Sequence, residues 1–478
     1  LNMLTRPTPT GLDGIDKVLG GFPKGGLIVL AGKPGTGKTI LSAKILYEGG
    51  VRYSEPGVYA SFTEDKHRFY SNMRGLGLDF EELENRGLFA YLDLIPVGRL
   101  GVSSIAEFII DTVDKLKARR LVIDSFSALA QNFRDEAELR IFTHNVLYRI
   151  CRNMDCTTIL IEEIPIGAER IGFGVEEFIA DATVILRKRL FDERILRELE
   201  IVKLRSVELK EYRFIFTLSS GVRVYPPFKL PTYDKHKLAY PPNDPSGNIY
   251  STGVRDLDRI LGGYPRGSTI VMEVDPKVED NVYRLGLLLP VVYSFMEKHR
   301  PILIIPSLNT SFEEILSYNR YIGYRDEVIE ELLRVVGLGL RGEEHRCLIN
   351  LEGRDIDEDY GILVNRLDQF MKGRGPPLAI IGLDSLIARY GLEDSIRMVS
   401  LSIHETMKVG GLCIIIAKPV YRYRRVVEVL PAISTMHLKL SREHGVYLLY
   451  GVKPRTGLYV MDIDVSDNLI ETRLTPMR

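Results

Sequence analysis

The segment AGKPGTGKT, Ala31 to Thr39, contains the spacing G-x-x-x-x-G-K-T. It follows an apolar, strand-like run and precedes a helical pattern that begins near Gly37. In this setting backbone N–H groups wrap phosphates, the lysine ammonium reaches the outer phosphates and the threonine hydroxyl binds Mg²⁺. The pattern predicts a nucleotide site with Mg²⁺ at Thr39, and its members are Gly32, Lys33, Pro34, Gly35, Thr36, Gly37, Lys38 and Thr39.

A magnesium site of this kind needs a second ligand. The apolar run RRLVIDSF contains Asp124 where a strand is expected to end. Carboxyl ends of parallel strands meet at the edge of the sheet that holds the phosphate loop. Asp124 is therefore the predicted second ligand, and capping of a following helix is its alternative role.

Hydrolysis also requires a group that orients water. The segment YASFTED places Glu64 and Asp65 just after the next strand. Asp65 is in position to cap the helix through KHRFYSNM, so Glu64 is the better catalytic candidate. The alternative for Glu64 is an exposed loop carboxylate without a catalytic role.

The elements that must position these residues follow an alternating pattern. The runs GLIVLAG, GVYASF, RLVIDSF and TTILIEE are typical of buried parallel strands. Between them, apolar residues at Ile105, Phe108, Ile109, Val113 and Leu116 fall on one helical face. The predicted fold class is α/β, with a mostly parallel sheet flanked by helices.

A repeat divides the chain. TGLDGIDKVLGGFPKG, which begins at Thr10, matches TGVRDLDRILGGYPRG, which begins 242 residues further on at Thr252. Prolines and polar residues between the halves favour an extended connector. The sequence predicts two similar domains, residues 1–228 and 248–478, joined by a linker at residues 229–247.

The same offset aligns EVDPKVEDN with the phosphate loop. Acidic side chains repel phosphate, and a β-branched residue cannot adopt the backbone conformations that glycine allows. The second domain is therefore predicted to have lost nucleotide binding. Asp384, in IIGLDSL, is predicted to retain the role of Asp124. The replaced residues Gly32, Gly35, Gly37, Lys38 and Thr39 correspond to Val274, Lys277, Glu279, Asp280 and Asn281.

Composition excludes several classes of protein. The 63 basic residues nearly balance 64 acidic ones, so no overall basic field predicts nucleic-acid binding. No run approaches the roughly 20 apolar residues of a membrane helix, and LNMLTRPTPT lacks the core of a signal peptide, so we expect no membrane partner and a cytoplasmic location. Four cysteines without CxxC spacing are expected to be buried. Only two glutamines, with abundant Glu, Lys and Arg, favour a thermophilic source.

Several segments together resemble the KaiC group of RecA-like ATPases. They are TGLDGIDKVLGG, GKPGTGKT, VIDSFSAL, GVEEFIADATVILRK (174–188) and VKLRS (202–206). The resemblance covers nearly all of both halves. It implies two tandem RecA-like P-loop domains and ATP as the nucleotide.

The resemblance also implies an assembly. Double-domain members form hexameric rings with ATP between neighbouring subunits, and their K-x-R pair reaches the neighbour's γ-phosphate, which implies that Lys203 and Arg205 act in trans. The family usually carries two consecutive acids where this chain has Thr63 and Glu64, so we expect slow hydrolysis. Ser434 and Thr435 resemble an autophosphorylated pair in clock-type members; without a donor site nearby, we expect ordinary strand residues.

These observations predict a homo-hexameric, Mg²⁺-dependent ATPase that acts as a switch on a protein partner, with the second domain as a structural or regulatory platform. One alternative is a RecA-type DNA-associated ATPase. Acidic residues outnumber the one arginine in the expected pore loop, residues 163–177, which argues against nucleic acid. The other alternative is a scaffold that binds ATP with negligible turnover.

Overall fold

The structure is a computed structural model. It describes residues 7–95, 102–131, 133, 136–165, 167, 179–205, 209, 211–219, 221–231, 237–339, 345–419, 430–466 and 469–477. The chain divides into two compact units, Leu1–Pro227 with Met477–Arg478, and Phe228–Pro476. In the described part of the chain, no helix has both the length and the apolar character needed to cross a membrane.

The first unit is built on a sheet with strand order β3-β2-β4-β5-β1-β6-β7-β8-β9. The strands from β3 to β6 in this order run parallel, and the remaining three are antiparallel. The strands are β1 (Leu27–Gly32), β2 (Gly57–Ser61), β3 (Phe89–Asp93), β4 (Arg120–Asp124), β5 (Thr157–Glu163), β6 (Ala182–Phe191), β7 (Arg194–Leu204), β8 (Arg213–Thr217) and β9 (Arg223–Tyr225).

Helices cover both faces of this sheet. Alternate residues of each parallel strand point to opposite faces, so Ile28 and Tyr59 pack in one core and Leu27 and Val58 in the other. Both cores are closed by the apolar sides of the helices. The helices are Asp13–Leu19, Lys38–Tyr53, Lys66–Arg74, Phe80–Asn85, Val102–Leu116, Phe126–Ala130 and Glu136–Phe142, followed by π-helical turns at Thr143–Leu147 and Arg149–Asn153.

The second unit repeats this plan. Its sheet has the order β10-β22-β21-β20-β19-β13-β18-β17-β14-β15-β16, and the strands from β19 to β16 in this order run parallel. A separate two-stranded sheet joins β11 and β12. The strands are β10 (Lys237–Leu238), β11 (Ile249–Tyr250), β12 (Tyr264–Pro265), β13 (Ser268–Val274), β14 (Ile302–Ile305), β15 (Leu333–Leu338), β16 (Leu348–Leu351), β17 (Leu378–Gly382), β18 (Leu412–Ala417), β19 (Met436–Glu443), β20 (Val446–Lys453), β21 (Tyr459–Ser466) and β22 (Leu469–Pro476).

Helices again lie on both faces of the larger sheet. They are Arg255–Leu261, Asp280–Tyr283, Leu289–Met296, Phe312–Ile322, Asp326–Leu332, Ile356–Met371, Leu383–Tyr390 and Leu392–Lys408, with a π-helical turn at Arg284–Leu288. Both units are therefore RecA-like α/β domains, as predicted.

The segment predicted as a connector, residues 229–247, packs into the second unit where the structure describes it. Lys237–Leu238 forms a strand parallel to β22, and Leu238 is buried. Asp244 binds Arg300 at 2.6 Å and Lys298 at 3.2 Å. Ion pairing of this kind is invisible in a proline-rich composition, so the expectation of an unpacked connector was wrong for these residues.

The four cysteines are all buried, as expected. One helical residue differs from its prediction. Phe108 belongs to the apolar stripe of the helix Val102–Leu116, yet 51% of its surface is exposed. It lies at the margin of the stripe whose centre, Ile105 and Ile109, packs against the sheet.

Candidate functional site

The phosphate loop connects the carboxyl end of β1 to the helix Lys38–Tyr53. Gly35 and Gly37 have φ of +73° and +107°, a region that favours glycine. A Cβ at Gly32 would lie 2.7 Å from the Leu186 carbonyl oxygen and 2.8 Å from Thr36 Oγ1. The backbone path of the loop therefore depends on all three glycines.

The helix after the loop begins without a side-chain cap, and its fully described first turn contains no acidic residue. Its first N–H groups are thus available to an anion, and the helix dipole favours negative charge at this end. Lys33, Pro34 and Gly35 are exposed at the outer side of the loop. This geometry fits a polyphosphate.

Lys38 lies inside the loop. Its Nζ donates to the carbonyl oxygens of Gly32 at 2.9 Å and Lys33 at 3.2 Å. Burial lowers the pKa of Lys38, and the charges of Glu163 and Asp124 oppose that shift. The ammonium is therefore held beside two carboxylates at the place where a terminal phosphate would lie.

Thr39 and Asp124 meet at this edge of the sheet. The Thr39 hydroxyl donates to Asp124 Oδ2 at 2.8 Å, and the Tyr59 hydroxyl donates to the same oxygen at 2.6 Å. Burial raises the pKa of Asp124, while both hydrogen bonds oppose the rise. A hydroxyl and a carboxylate oxygen in contact are a donor set that suits Mg²⁺, so Thr39 and Asp124 could hold the ion.

Glu64 lies near this pair. Burial raises its pKa most, and the negative charge of Asp124 adds to the rise. Glu64 Oε1 accepts from Asn72 Nδ2 at 2.7 Å and lies 3.4 Å from Arg68 Nε. Asp65 caps the helix Lys66–Arg74 by accepting from the Arg68 N–H, as predicted. The carboxylate of Glu64 is thus fixed in position by the helix that follows it, Lys66–Arg74.

Lys203 and Arg205 lie at the opposite edge of the sheet from the phosphate loop. Leu204 pairs with Ala182, and Ala182 pairs with Ile28 near the start of β1. Gly32 is four residues further along β1, which is about 13 Å at 3.3 Å per residue. The structure therefore does not bring these two side chains to the loop of their own protomer. Arg205 Nη1 lies 3.7 Å from Asp181 Oδ1.

Two residues of the site were missed by sequence reasoning. Arg197, on β7, donates through Nη1 to the loop carbonyls of Gly35 at 3.0 Å and Thr36 at 3.2 Å. Glu163 pairs with Gly32 in the β1–β5 register, which explains its charge near Lys38. No motif marks Arg197, because only the sheet order brings β7 beside the loop.

The corresponding loop of the second unit has a different course. All of residues 274–281 are described and none has a positive φ. The Asp275 side chain accepts from the Lys277 N–H at 2.8 Å, and the Val278 N–H bonds the Asp275 carbonyl. Backbone N–H groups that would face phosphate are thereby used within the loop.

The acids of this loop are bound by cations of the same unit. Lys418 Nζ and Arg284 Nη2 both bond Asp280. Glu279 Oε1 accepts from Arg442 Nη1 at 2.9 Å, and Glu279 also accepts from the Tyr447 hydroxyl. The acids that were predicted to repel phosphate thus form ion pairs within the unit, and these ion pairs occupy the site.

Asp384 does not take the place of Asp124, and that prediction was wrong. Asp124 is level with Ile161 and Leu30 in the first sheet. In the second sheet Gly382 pairs with Ile416, which pairs with Met272, the residue 242 positions after Leu30. Gly382 therefore occupies the Asp124 position. Asp384 lies two residues later in a helix and accepts from the Leu308 N–H at 3.3 Å.

Ser434 and Thr435 lie directly before β19 rather than within it. Ser434 is buried and its hydroxyl donates to the Pro431 carbonyl at 3.3 Å. Thr435 Oγ1 accepts from the Thr269 N–H at 3.2 Å. Lys453, of the KPR segment, donates to the Ser434 carbonyl at 2.6 Å. Both hydroxyls are used in holding the chain. The predicted pore loop, residues 163–177, lies mostly outside the described residues.

Known proteins share this sequence over about half of the chain. The circadian clock oscillator protein KaiC of Thermostichus vulcanus is 31% identical over 265 residues, which are 53% of this chain and 49% of that protein. The circadian clock protein KaiC3 of Synechocystis sp. is 32% identical over 280 residues, 55% of this chain and 52% of that protein. The chain thus spans about half the length of these curated relatives. A crystal structure of a KaiC-like protein from Pyrococcus horikoshii is 33% identical and covers 46% of this chain and 99% of its own, with a TM-score of 0.42.

The parallel sheet, the phosphate loop and the paired Thr39 and Asp124 define the first unit as a RecA-like P-loop domain. Residues 8–229 match the family model described as the KaiC ATPase. This part of the chain is a KaiC-like ATPase domain, as its sequence motifs predicted.

Proposed function

We propose that the first unit binds Mg·ATP and hydrolyses it slowly within a homo-hexameric ring, and that the ring acts as a nucleotide-driven switch on a protein partner. The observation that carries this proposal is the 2.8 Å hydrogen bond from Thr39 to Asp124 beside Lys38. Cation, hydroxyl and carboxylate meet there at the uncapped start of a helix. These are the parts that a triphosphate and its metal require.

Different residues of the first unit bind the phosphates, hold the metal and orient the attacking water in this proposal. Amides of the loop and Lys38 bind the phosphates, and Arg197 maintains the loop by holding the Gly35 and Thr36 carbonyls. Thr39 and Asp124 hold Mg²⁺, which when bound would neutralise developing phosphate charge. Glu64 orients the attacking water, at a position fixed by Asn72.

Lys203 and Arg205 complete the site of a neighbouring protomer in this proposal. Their place at the far edge of the sheet, level with Ile28 and so about 13 Å along β1 from Gly32, supports a role in trans. A cation supplied from a neighbour stabilises the transferred phosphate only when the ring is assembled. Assembly and turnover are therefore coupled.

The second unit serves as a nucleotide-free platform of the ring. The loop that corresponds to the phosphate loop forms a turn at Asp275. Its acids are bound by Lys418, Arg284 and Arg442. A fold retained without its site is reasonable when its surfaces support an oligomer.

The test is ATP turnover by the purified full-length chain, with oligomer mass measured in the same samples. We expect slow Mg²⁺-dependent turnover by a hexamer, and loss of turnover in Asp124→Asn with the oligomer retained. Thr39→Ser, which keeps the hydroxyl, is the matched control and should remain active. Activity in Asp124→Asn equal to the parent would contradict the assignment.

A second candidate function is a scaffold that binds ATP with negligible turnover. The observation that favours it is the pairing of Glu64 with Asn72 and Arg68. The resemblance to the KaiC group, which implies an acid at the position of Thr63, points the same way. Full ATP binding without phosphate release in the wild-type hexamer would support the scaffold.

A further inference from the structure

A cleft of about 750 Å³ lies at one edge of the larger sheet of the second unit. Its walls come from β15, from the edge strand β16 and from the helix Ile356–Met371. The described residues of these walls include no aspartate or glutamate, but they include three arginines and a histidine: Arg334, Arg346, Arg366 and His345. The cleft is therefore locally positive, although 63 basic residues nearly balance 64 acidic ones in the whole chain.

Two guanidinium groups share the aromatic ring of Phe370, which is part of the cleft wall. The guanidinium carbons of Arg334 and Arg374 lie 4.2 and 4.7 Å from the centre of this ring. Burial lowers the pKa of Arg334 most, and the positive charge of Arg374 lowers it further. The two cations are thus close enough to repel one another, and an anion bound beside them would relieve that repulsion.

Neither of these two arginines pairs with a carboxylate of the described residues. Arg334 Nη1 donates to the carbonyls of Glu330 and Leu333, both at 2.7 Å, and Arg374 Nη1 donates to the Phe370 carbonyl at 2.9 Å. These bonds hold the planar groups in place, while Nε and Nη2 of each reach solvent without an acceptor among the described residues. A guanidinium group binds carboxylates through such a pair of parallel donors. Both groups are therefore positioned to receive oxyanions.

Two further arginines extend the positive charge along the cleft. Arg366 is exposed one helical turn, about 6 Å, before Phe370, and it pairs with no carboxylate of the described chain. Arg346 is 85% exposed, and its 3.4 Å contact with Glu330 is a surface ion pair of the kind that contributes little. A ligand with one compact anionic group would meet only part of this charge. The cleft instead suits a chain that carries several acidic groups.

We propose that this cleft binds an acidic segment, rich in aspartate or glutamate, of a protein partner. Residues of an extended segment repeat every 3.3–3.5 Å or so, which lets several carboxylates meet the spaced guanidinium groups together. Single-stranded nucleic acid also carries repeated charge, but its bases stack on accessible aromatic rings. Phe370 is 6% exposed and already stacked against two guanidinium groups, so it offers no such surface. These observations favour a peptide over a nucleic acid.

This inference deepens the proposed function, since the existence of a protein partner rests on that proposal. Peptide binding at the cleft is nevertheless measured without nucleotide, on a unit that does not contain the phosphate loop. Failure of ATP turnover would leave this test unaffected. Failure of peptide binding would leave the ATPase assignment unaffected.

The experiment measures fluorescence anisotropy of a labelled peptide of about ten glutamates, titrated with the full-length chain without nucleotide. We expect saturable binding that weakens as salt rises, because exposed charges are screened. Arg366→Glu reverses the charge at an exposed position and should weaken binding about tenfold or more. Arg325→Glu makes the same change at an exposed position outside the cleft and should bind as the parent does. Equal affinity in Arg366→Glu and the parent, or equal loss in both variants, would overturn the proposal.

A second variant and a competition identify the ligand chemistry. Arg334→Lys keeps the charge but removes the planar pair of donors, so peptide binding should weaken severalfold. Unlabelled glutamate peptide should displace the labelled one at a lower concentration than single-stranded DNA of equal charge or inorganic triphosphate does. Displacement at a lower concentration by the DNA or by triphosphate would overturn the assignment to an acidic peptide.

Discussion

Asp280 of the second unit is bound by the ammonium of Lys418. Lys418 directly follows Ala417, which pairs with Glu273, so it lies at the position that corresponds to Glu163 of the first unit. The second unit therefore has an acid, Asp280, in place of Lys38 and a base, Lys418, in place of Glu163. The altered loop is a neutralised ionic site rather than a phosphate site with missing parts.

This reversal predicts the outcome of restoring the motif. Asp280→Lys places a third cation beside Lys418 and Arg284, so it should lower the free energy of unfolding by on the order of 2 kcal/mol without creating ATP binding. The double variant Asp280→Lys with Lys418→Glu should recover most of that loss. Chemical denaturation measures the free energy of unfolding, and calorimetry measures ATP binding. Stoichiometric ATP binding in either variant, with the first-unit site disabled, would contradict the prediction.

Substitution of Lys38 tests how many sites the chain has. Lys38→Ala should remove ATP binding from the whole chain, because its ammonium is the cation held inside the phosphate loop. Calorimetry of the parent should give one ATP per chain. Lys33→Ala, on the exposed side of the same loop, is the control and should bind nearly as well. Residual stoichiometric binding in Lys38→Ala would mean that the second unit retains a site.

The hydrogen bond from Asn72 to Glu64 gives a prediction on pH. This bond lowers the Glu64 pKa against the rise caused by burial, so its removal in Asn72→Ala should raise the pKa further. Activity that needs ionised Glu64 is present above the pKa and lost as pH falls through it. The acid limb of the rate profile should therefore move to higher pH in Asn72→Ala. An unchanged acid limb, or full activity in Glu64→Gln, would exclude Glu64 from the reaction.

Arg205 should act only in an assembled ring. Arg205→Ala protomers should be inactive alone and should regain part of the activity when mixed with Lys38→Ala protomers, since some interfaces then pair an intact loop with an intact Arg205. Fingers of this kind supply about 10³–10⁵ in rate. Turnover across mixing ratios measures the effect, with subunit exchange followed by mass. Flat activity despite exchange would assign Arg205 a structural role beside Asp181.

Arg197 should act on nucleotide affinity through the shape of the loop. Arg197→Ala removes the donor to the Gly35 and Thr36 carbonyls and should weaken ATP binding about tenfold, equivalent to about 1.4 kcal/mol. Arg197→Lys keeps the charge but not the planar donor geometry, so its ATP affinity should lie between those of the parent and Arg197→Ala. Equal affinity in all three proteins would show that the loop holds its shape without Arg197.

The sequence by itself determined the local chemistry of the first unit. A phosphate loop depends on glycines, a lysine and a threonine that are consecutive in the chain, so the motif carries its own geometry. The buried strands were likewise predicted, because short apolar runs of strand-forming residues between turns are typical of buried strands. The repeat at Thr10 and Thr252 predicted the second RecA-like domain.

Only the tertiary structure decided which distant residues meet. Arg197 reaches the loop because β7 folds back beside β6, and Lys418 faces Asp280 because β18 lies next to β13. The prediction for Asp384 failed because strand register places Gly382 at the Asp124 position, and Asp384 lies two residues later, in the helix Leu383–Tyr390. Pairing between strands is fixed by packing of the whole sheet, and no short segment of sequence contains that information.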